Sequence, residues 1–305
     1  MKHKLIFSLL ILVLVLSLAI PGCAEEEKTV IMGYDMSITM ALQNSVAKIL
    51  LEEELGYTVE FADMAVPAIF AGMVAGDVDV FTNTWKPNQV ELLEKYDADL
   101  DILGLVYDGA VQGWLVPTWF SQQYDITEVS DLKDPEIAKL VDIDGDGTGD
   151  ILGCDPGWKC AAMIDDEIAA YELDDLYEQK YGAEDLMLAA IVGRLKKNEP
   201  VLFYFWTPHQ IWYTYSYPED VVWLEDPKGF WPLATSSVVA NVEWIAENPK
   251  AAELLSHLEI PITDVAWSMA EIKARGDDVE TLTAIAREWM AAHQAEVDSW
   301  LAAIK

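Results

Sequence analysis

Positive charge is what this chain has least of. Its 305 residues hold 19 Lys and Arg against 53 Asp and Glu, a formal charge of −34, with only four histidines. Phosphate contacts need clustered cations, so a nucleic-acid partner is excluded. The acidic surface favours solubility in a salty medium, where attraction of cations is screened beyond ~10 Å. No glycine-rich phosphate loop and no Gly-x-Ser-x-Gly elbow occurs, and His209, His257 and His293 are scattered. Acidic pairs such as Asp165-Asp166 and Asp174-Asp175 read as solvated helix ends. Catalysis needs an acid, base or nucleophile in a shared arrangement, and the sequence offers none, so an enzyme is not expected. Internal repeats and low-complexity segments are missing as well.

Long apolar runs are also lacking. The longest, Leu5 to Ile20, follows Lys2, His3 and Lys4. It falls short of the roughly 20 residues of a membrane span and suits a signal-peptide core. Residues 1–22 are therefore expected to be a lipoprotein signal peptide, with Ile20-Pro21-Gly22-Cys23 as the processing site and Cys23 as the lipidated residue. An uncleaved anchor is the other reading, and either one leaves the remainder outside the cytoplasm. Loss of Lys2 and Lys4 with the leader takes the charge from −34 to −36. The roughly 280 residues that remain exceed one ordinary core and suggest two lobes.

Cysteine is nearly absent: Cys23, Cys154 and Cys160 are the only three. With Cys23 carrying lipid, export permits a disulfide between Cys154 and Cys160. A C-x5-C metal site is the rival, lacking two further ligands and any histidine nearby in sequence.

Secondary structure reads as α/β. Thr29–Gly33 is a strand, Ser37–Glu54 a helix closed by Gly56, Tyr57–Phe61 a strand, Val66–Ala75 a helix and Val78–Thr82 a short buried strand. That alternation predicts a mainly parallel sheet. Leu103–Val116 is strand-like and a candidate crossing between lobes. Asp131–Leu140, Ala161–Leu173 and Ala183–Lys196 read as helices, and Val201–Phe205 as a strand. Leu233–Asn241 is expected to return to the first lobe, and Val242–Lys305 to be a string of helices.

What the chain does have is tryptophan, twelve in all. Three lie beside prolines: Trp85 in Thr84-Trp85-Lys86-Pro87, Trp158 in Asp155-Pro156-Gly157-Trp158, and Trp206 in Phe205-Trp206-Thr207-Pro208. Trp85 is placed just past one strand and Trp206 at the end of another, where ligands of α/β sheets sit. Tryptophan is the best cation–π partner, and a cage of aromatic faces holds quaternary ammonium groups. Trp212, Trp223, Trp244, Trp267, Trp289 and Trp300 are most simply packing residues.

Asp142-Ile143-Asp144-Gly145-Asp146-Gly147-Thr148-Gly149-Asp150 matches the first nine positions of a calcium loop. Its candidate ligands are Asp142, Asp144, Asp146, Thr148 and Asp150. Position 12, where a bidentate Glu belongs, is Gly153. No cofactor is required, and structural calcium is the one candidate; the alternative is a solvated Asp/Gly turn.

Several stretches resemble the substrate-binding component of glycine betaine/proline-betaine importers of the ABC type. They are Asp131-Leu132-Lys133-Asp134-Pro135, the Asp142–Asp150 loop, Gly153 to Cys160, Ala169-Ala170-Tyr171-Glu172-Leu173 and Phe205 to Pro208, with Asp220 to Leu224 and Glu247-Asn248-Pro249. The resemblance implies a two-lobed periplasmic-binding-protein fold of class II, with the ligand between lobes. It implies lobe 1 over residues 29–112 and 236–305, and lobe 2 over 113–235. It also implies that Trp85, Trp158 and Trp206 box a trimethylammonium group and that the N–H groups of Lys159 and Cys160 hold the ligand carboxylate. A histidine that assists in a relative falls on Gln89, which can donate only a neutral N–H. The implied partners are a betaine-type ligand, a permease with its ATPase and, through the lipid, the membrane; the protein is expected to be a monomer. Choline, a sulfonium zwitterion or a sulfonate are alternative ligands, and a calcium-dependent adhesin or structural lipoprotein is the alternative class.

Overall fold

The computed structural model of the protein describes residues 28–35 and 37–305. The expected signal segment, residues 1–22, and Cys23 lie outside the described residues. No described helix is long and apolar enough to cross a membrane.

Two five-stranded sheets organise the chain. In the first, β1 (Thr29–Tyr34), β2 (Thr58–Asp63), β3 (Val80–Lys86), β4 (Leu100–Ala110) and β10 (Ala234–Asn241) stand in the order β2-β1-β3-β10-β4. In the second, β5 (Gln112–Pro117), β6 (Gly149–Leu152), β7 (Tyr177–Lys180), β8 (Leu202–Trp206) and β9 (Val221–Trp223) stand in the order β7-β6-β8-β5-β9. The chain passes from one sheet to the other at Val111 and returns between Trp223 and Ala234.

Both sheets are mixed, which corrects the expectation of a mainly parallel sheet. β1 runs parallel to β2 and β3, and β6 to β7 and β8, whereas β10 opposes β3 and β4 and β5 opposes β8 and β9. Parallel neighbours need a crossover connection. The strands that carry the chain between sheets arrive without one and run the other way. The span Leu103–Val116 is likewise two strands. Val111 is withdrawn from the ladder because its N–H donates to Thr207 Oγ1 at 2.9 Å and its carbonyl accepts from Thr207 N–H at 2.8 Å.

The first sheet is flanked by α1 (Ala41–Leu55), α2 (Val66–Ala75) and α3 (Val90–Lys95). α1 buries Leu42, Val46, Ile49 and Leu50, the helical spacing seen in the sequence, and Gly56 ends it in the left-handed conformation at φ 72°. The second is flanked by α4 (Thr118–Tyr124), α5 (Pro135–Val141), α6 (Lys159–Ala170) and α7 (Glu184–Lys197). The single helix expected over Asp131–Leu140 is a 3-10 turn, Val129–Lys133, followed by α5; Pro135 cannot continue a helix but starts one well, with Asp134 capping Glu136 N–H. The tail is helical throughout: α8 (Val242–Glu247), α9 (Pro249–Ser256), α10 (Ile262–Arg275), α11 (Val279–Ala292) and α12 (Gln294–Ala303). α11 packs on α1, and α9 lies against β4, where a Cβ on Gly104 would sit 2.1 Å from the Ser256 carbonyl.

The central strands carry the site. Every residue of β8 is buried, and so is all of β3 but its last. The apolar run of β8 reflects coverage on both faces.

Candidate functional site

Trp85 and Trp206 both sit at the ends of those buried strands. Trp85 lies within β3 itself, three residues beyond Thr82, where the sequence placed the strand end. Its indole N–H donates to Asn83 Oδ1 at 2.9 Å, and its ring meets Tyr107 edge-on at 6.1 Å. Trp206 ends β8, stacked on Phe205 at 4.7 Å and 16°, with its carbonyl accepting from the Trp212 indole at 2.9 Å. A cis proline follows each, Pro87 and Pro208.

Trp158 comes from the second half of the chain by another route. After β6 the backbone turns at Asp155, whose carboxylate accepts the Gly157 N–H at 2.7 Å. Trp158 then takes the extended N-cap position of α6. A disulfide between Cys154 and Cys160 closes this turn, Cα to Cα 6.5 Å, in place of the rival metal site. Trp158 and Trp206 meet nearly perpendicular, with ring centroids 5.6 Å apart.

One cleft unites these residues. Trp85, Trp158 and Trp206 line it together with Gln89, Lys159 and Cys160, so the six residues singled out for ligand binding share one cavity of about 460 Å³, open solvent included. Trp85 comes from the first sheet, Trp206 from the second, and Trp158 from the start of α6 that follows β6 of the second. The backbone N–H groups of Lys159 and Cys160, the first two residues of α6, find no partner among the described residues. An unpaired helix start with its positive dipole end is an anion-binding element.

Gln89 accepts the Trp85 backbone N–H through Oε1, which leaves its Nε2 to donate. The Lys159 ammonium is not free: it lies 3.1 Å from both carboxylate oxygens of Glu91, joining α6 to α3. A reciprocal amide pair, Asn88 with Gln112, links the two sheets again, at 2.8 and 3.2 Å, and the Tyr204 hydroxyl donates to Gln112 Oε1 at 2.9 Å.

Sequence reasoning missed the polar lining: Asp35, Ser37, Asn83, Gln112 and Tyr204. Asp35 carries the signal that could have found it, since it directly follows the parallel strand β1, at the strand end where such sheets bind ligands; Asn83 lies mid-strand in β3. Burial pushes the Asp35 carboxyl up to about 6, with Glu184 adding to the effect and hydrogen bonds from Ser37 and Asn83 opposing it. His209 stays outside this lining, fully buried behind Trp206, with Nε2 3.0 Å from Glu184.

The Asp/Gly loop lies apart from the cleft. Asp142 uses both oxygens on the N–H groups of Gly145 and Gly147. Asp144, Asp150 and Glu178 converge on the Lys180 ammonium, which Asp144 holds at 2.7 Å and Asp150 at 3.1 Å. Those partners, Asp144 first, push the Lys180 ammonium up from its ordinary value. A Cβ on Gly153, at position 12, would press on the Gln179 side chain. Asp142, Asp144 and Asp146 bring their carboxylates together, as do Asp144, Asp150 and Glu178, the second group around the Lys180 ammonium.

Residues 28–292 match the family described as the substrate binding domain of ABC-type glycine betaine transport systems. The chain belongs to that family. It is 32% identical over 274 residues to the glycine betaine/proline betaine-binding periplasmic protein of Escherichia coli (strain K12), covering 82% of each chain. It is 31% identical to the glycine betaine-binding periplasmic protein OusX of Dickeya dadantii, covering 83% of each. Among solved structures, the glycine betaine, L-proline ABC-transporter binding protein ProX of Borrelia burgdorferi superposes with a TM-score of 0.77 at 20% identity, over 91% of this chain and 100% of that one. Lactococcal OpuAC, solved closed with glycine betaine, gives 0.75 at 22%, over 90% and 100%. The fold is thus the two-lobed periplasmic-binding-protein fold, and the family is one of transport substrate-binding domains.

Proposed function

We propose that this protein captures glycine betaine or a closely related quaternary ammonium osmolyte outside the cytoplasm and delivers it to an ABC permease driven by a separate ATPase. The observation that carries this reading is the convergence of Trp85, Trp158 and Trp206 on one cleft beside the unpaired start of α6. The indoles receive the methylated cation, and the N–H groups of Lys159 and Cys160, with Gln89 Nε2, receive the carboxylate. The expected lobe bounds shift to the sheet crossings, because Gln112 pairs with Trp206 in the second sheet and Ala234 with Ala110 in the first, and the ligand bridges the two lobes. It stabilises closure only as far as it touches both. Lipidation at Cys23 tethers the protein to the membrane beside its permease, and the protein acts as a monomer without catalysis.

The energies allow it. Three desolvated cation–π contacts supply roughly 2–6 kcal/mol, and each hydrogen bond to a charged carboxylate about 1.5–3 kcal/mol. After association and closure costs, binding near −8 kcal/mol, about micromolar, is within reach.

Calorimetric titration with glycine betaine, choline and proline tests the reading. Saturable binding of betaine, with proline absent from the site, is expected because proline lacks the methyl groups that fill the box. No heat and no thermal shift with betaine or choline would overturn it.

A further inference from the structure

Among the described residues, Asp35 is the only anionic side chain lining the cleft, and nothing in the cage reading gives it a task. It follows β1 directly and is half-buried. One oxygen accepts the Ser37 N–H at 2.9 Å and the other the Asn83 Nδ2–H at 3.3 Å. A carboxylate offers about four acceptor sites, so these two bonds leave it capacity toward the cleft. The same Asn83 amide accepts the Trp85 indole N–H at 2.9 Å. One amide thus joins the carboxylate to a wall of the cage and fixes both against β3.

The remaining charges sharpen the picture. The single cationic side chain in the lining, Lys159, is held by Glu91. Gln89, at the end assigned to the ligand's carboxylate, is neutral. The cleft therefore presents one uncompensated carboxylate beside the aromatic faces and no uncommitted cation opposite. Burying such a group is costly unless an opposite charge joins it.

Resting on the reading of the cleft as a quaternary ammonium site, we propose that Asp35 is the counter-charge of the bound cation and sets the preference for the ligand's net charge. Its carboxylate attracts the ammonium of every such ligand and repels the carboxylate of betaine. The cleft therefore accepts choline, a net cation, far better than the cage and the α6 start alone would. Cation and proton compete for the same carboxylate.

Burial pushes the Asp35 carboxyl up to about 6, so affinity for choline should fall as pH drops through that value and level off above it. The charged and titratable groups around Asp35 are Tyr34 on β1, Tyr107 on β4, Glu184 on α7, and Lys159 on α6 with its partner Glu91 on α3. His209, bonded to Glu184, lies behind Trp206 with ring centroids 5.4 Å apart. All of these persist in an Asp35 variant, so a difference between pH profiles isolates Asp35.

The test is a paired titration of the native protein and Asp35→Asn with choline and with glycine betaine, each at pH 5 and pH 7.5. Native choline affinity should drop several-fold at pH 5. Asp35→Asn should bind choline about tenfold more weakly at pH 7.5, lose less for betaine, and show a flat choline profile. An unchanged betaine-to-choline ratio in a folded variant would overturn the role of Asp35. Should the variant not fold, a native choline affinity equal at both pH values would do the same. A native protein that binds neither ligand would instead remove the quaternary ammonium reading itself.

Discussion

The two walls of the cleft are built differently. On the first sheet, Trp85 stands among hydrogen-bonding groups: its indole on Asn83, its backbone on Gln89, and Asp35 on Ser37 and Asn83. On the second sheet, Trp206 stands among rings: Phe205 at 4.7 Å, His209 at 5.4 Å, Trp158 at 5.6 Å and Tyr204 at 6.0 Å, with Trp231 against Tyr204 at 4.9 Å. Hydrogen bonds are directional and fix where charge sits, whereas aromatic packing supplies area and a negative ring face at low entropic cost. The first wall is therefore mainly polar around a single indole, and the second mainly aromatic beside the start of α6.

Removing the aromatic wall should have the largest effect. Trp206→Ala and Trp158→Ala are each expected to weaken betaine at least tenfold, and choline by a similar factor, since both ligands carry the trimethylammonium. Trp158 is the cleaner position because it is only half-buried and its truncation opens less of the core. Unchanged affinity in either variant would take that indole out of the cage.

Altering the polar wall should discriminate between ligands instead. Gln89→His introduces a donor that can become cationic, and a charge-assisted bond is roughly twice as strong as a neutral one. Betaine should bind about threefold to tenfold more tightly below pH 6, with choline unimproved. If both ligands gain equally, or neither does, Gln89 does not face the carboxylate.

The smallest effect concerns stability behind the aromatic wall. Glu167 is fully buried, its Oε2 accepting the Trp231 indole N–H at 2.6 Å while Oε1 has no partner among the described residues. Burial pushes its carboxyl up to about 8 from an ordinary 4.5. Between those values the folded protein keeps a proton that the unfolded chain releases, so stability falls as pH rises across that window. Glu167→Gln should flatten the decline in Tm between pH 5 and pH 8, an effect on the order of 1–3 kcal/mol. An equally steep decline in the variant would place the pH dependence elsewhere.

The aromatic wall was legible in the sequence and the polar wall was not. Indoles beside prolines after short apolar strands announce themselves, because few other residues do so much at one position. The Cys154–Cys160 bridge was legible from cysteine count alone, with metal as its rival. Asp35, Asn83 and Gln112 are ordinary polar residues whose meaning comes only from the strands that bring them together. The same limit explains the Asp/Gly loop. Its pattern points to calcium but does not show Lys180, which lies thirty residues beyond Asp150 and enters the carboxylates through β7 beside β6. Strand direction was misjudged for a similar reason: local alternation signals α/β, whereas the insertion of β10 between β3 and β4 is a long-range event.

The central claim is that the three indoles and the start of α6 hold one ligand between them, and a crystal structure of the complex with glycine betaine tests it most directly. The account predicts the quaternary nitrogen within about 6 Å of the ring centroids of Trp85, Trp158 and Trp206, and the carboxylate on the N–H groups of Lys159 and Cys160. A betaine seated away from α6, or with its carboxylate turned into the aromatic box, would contradict it.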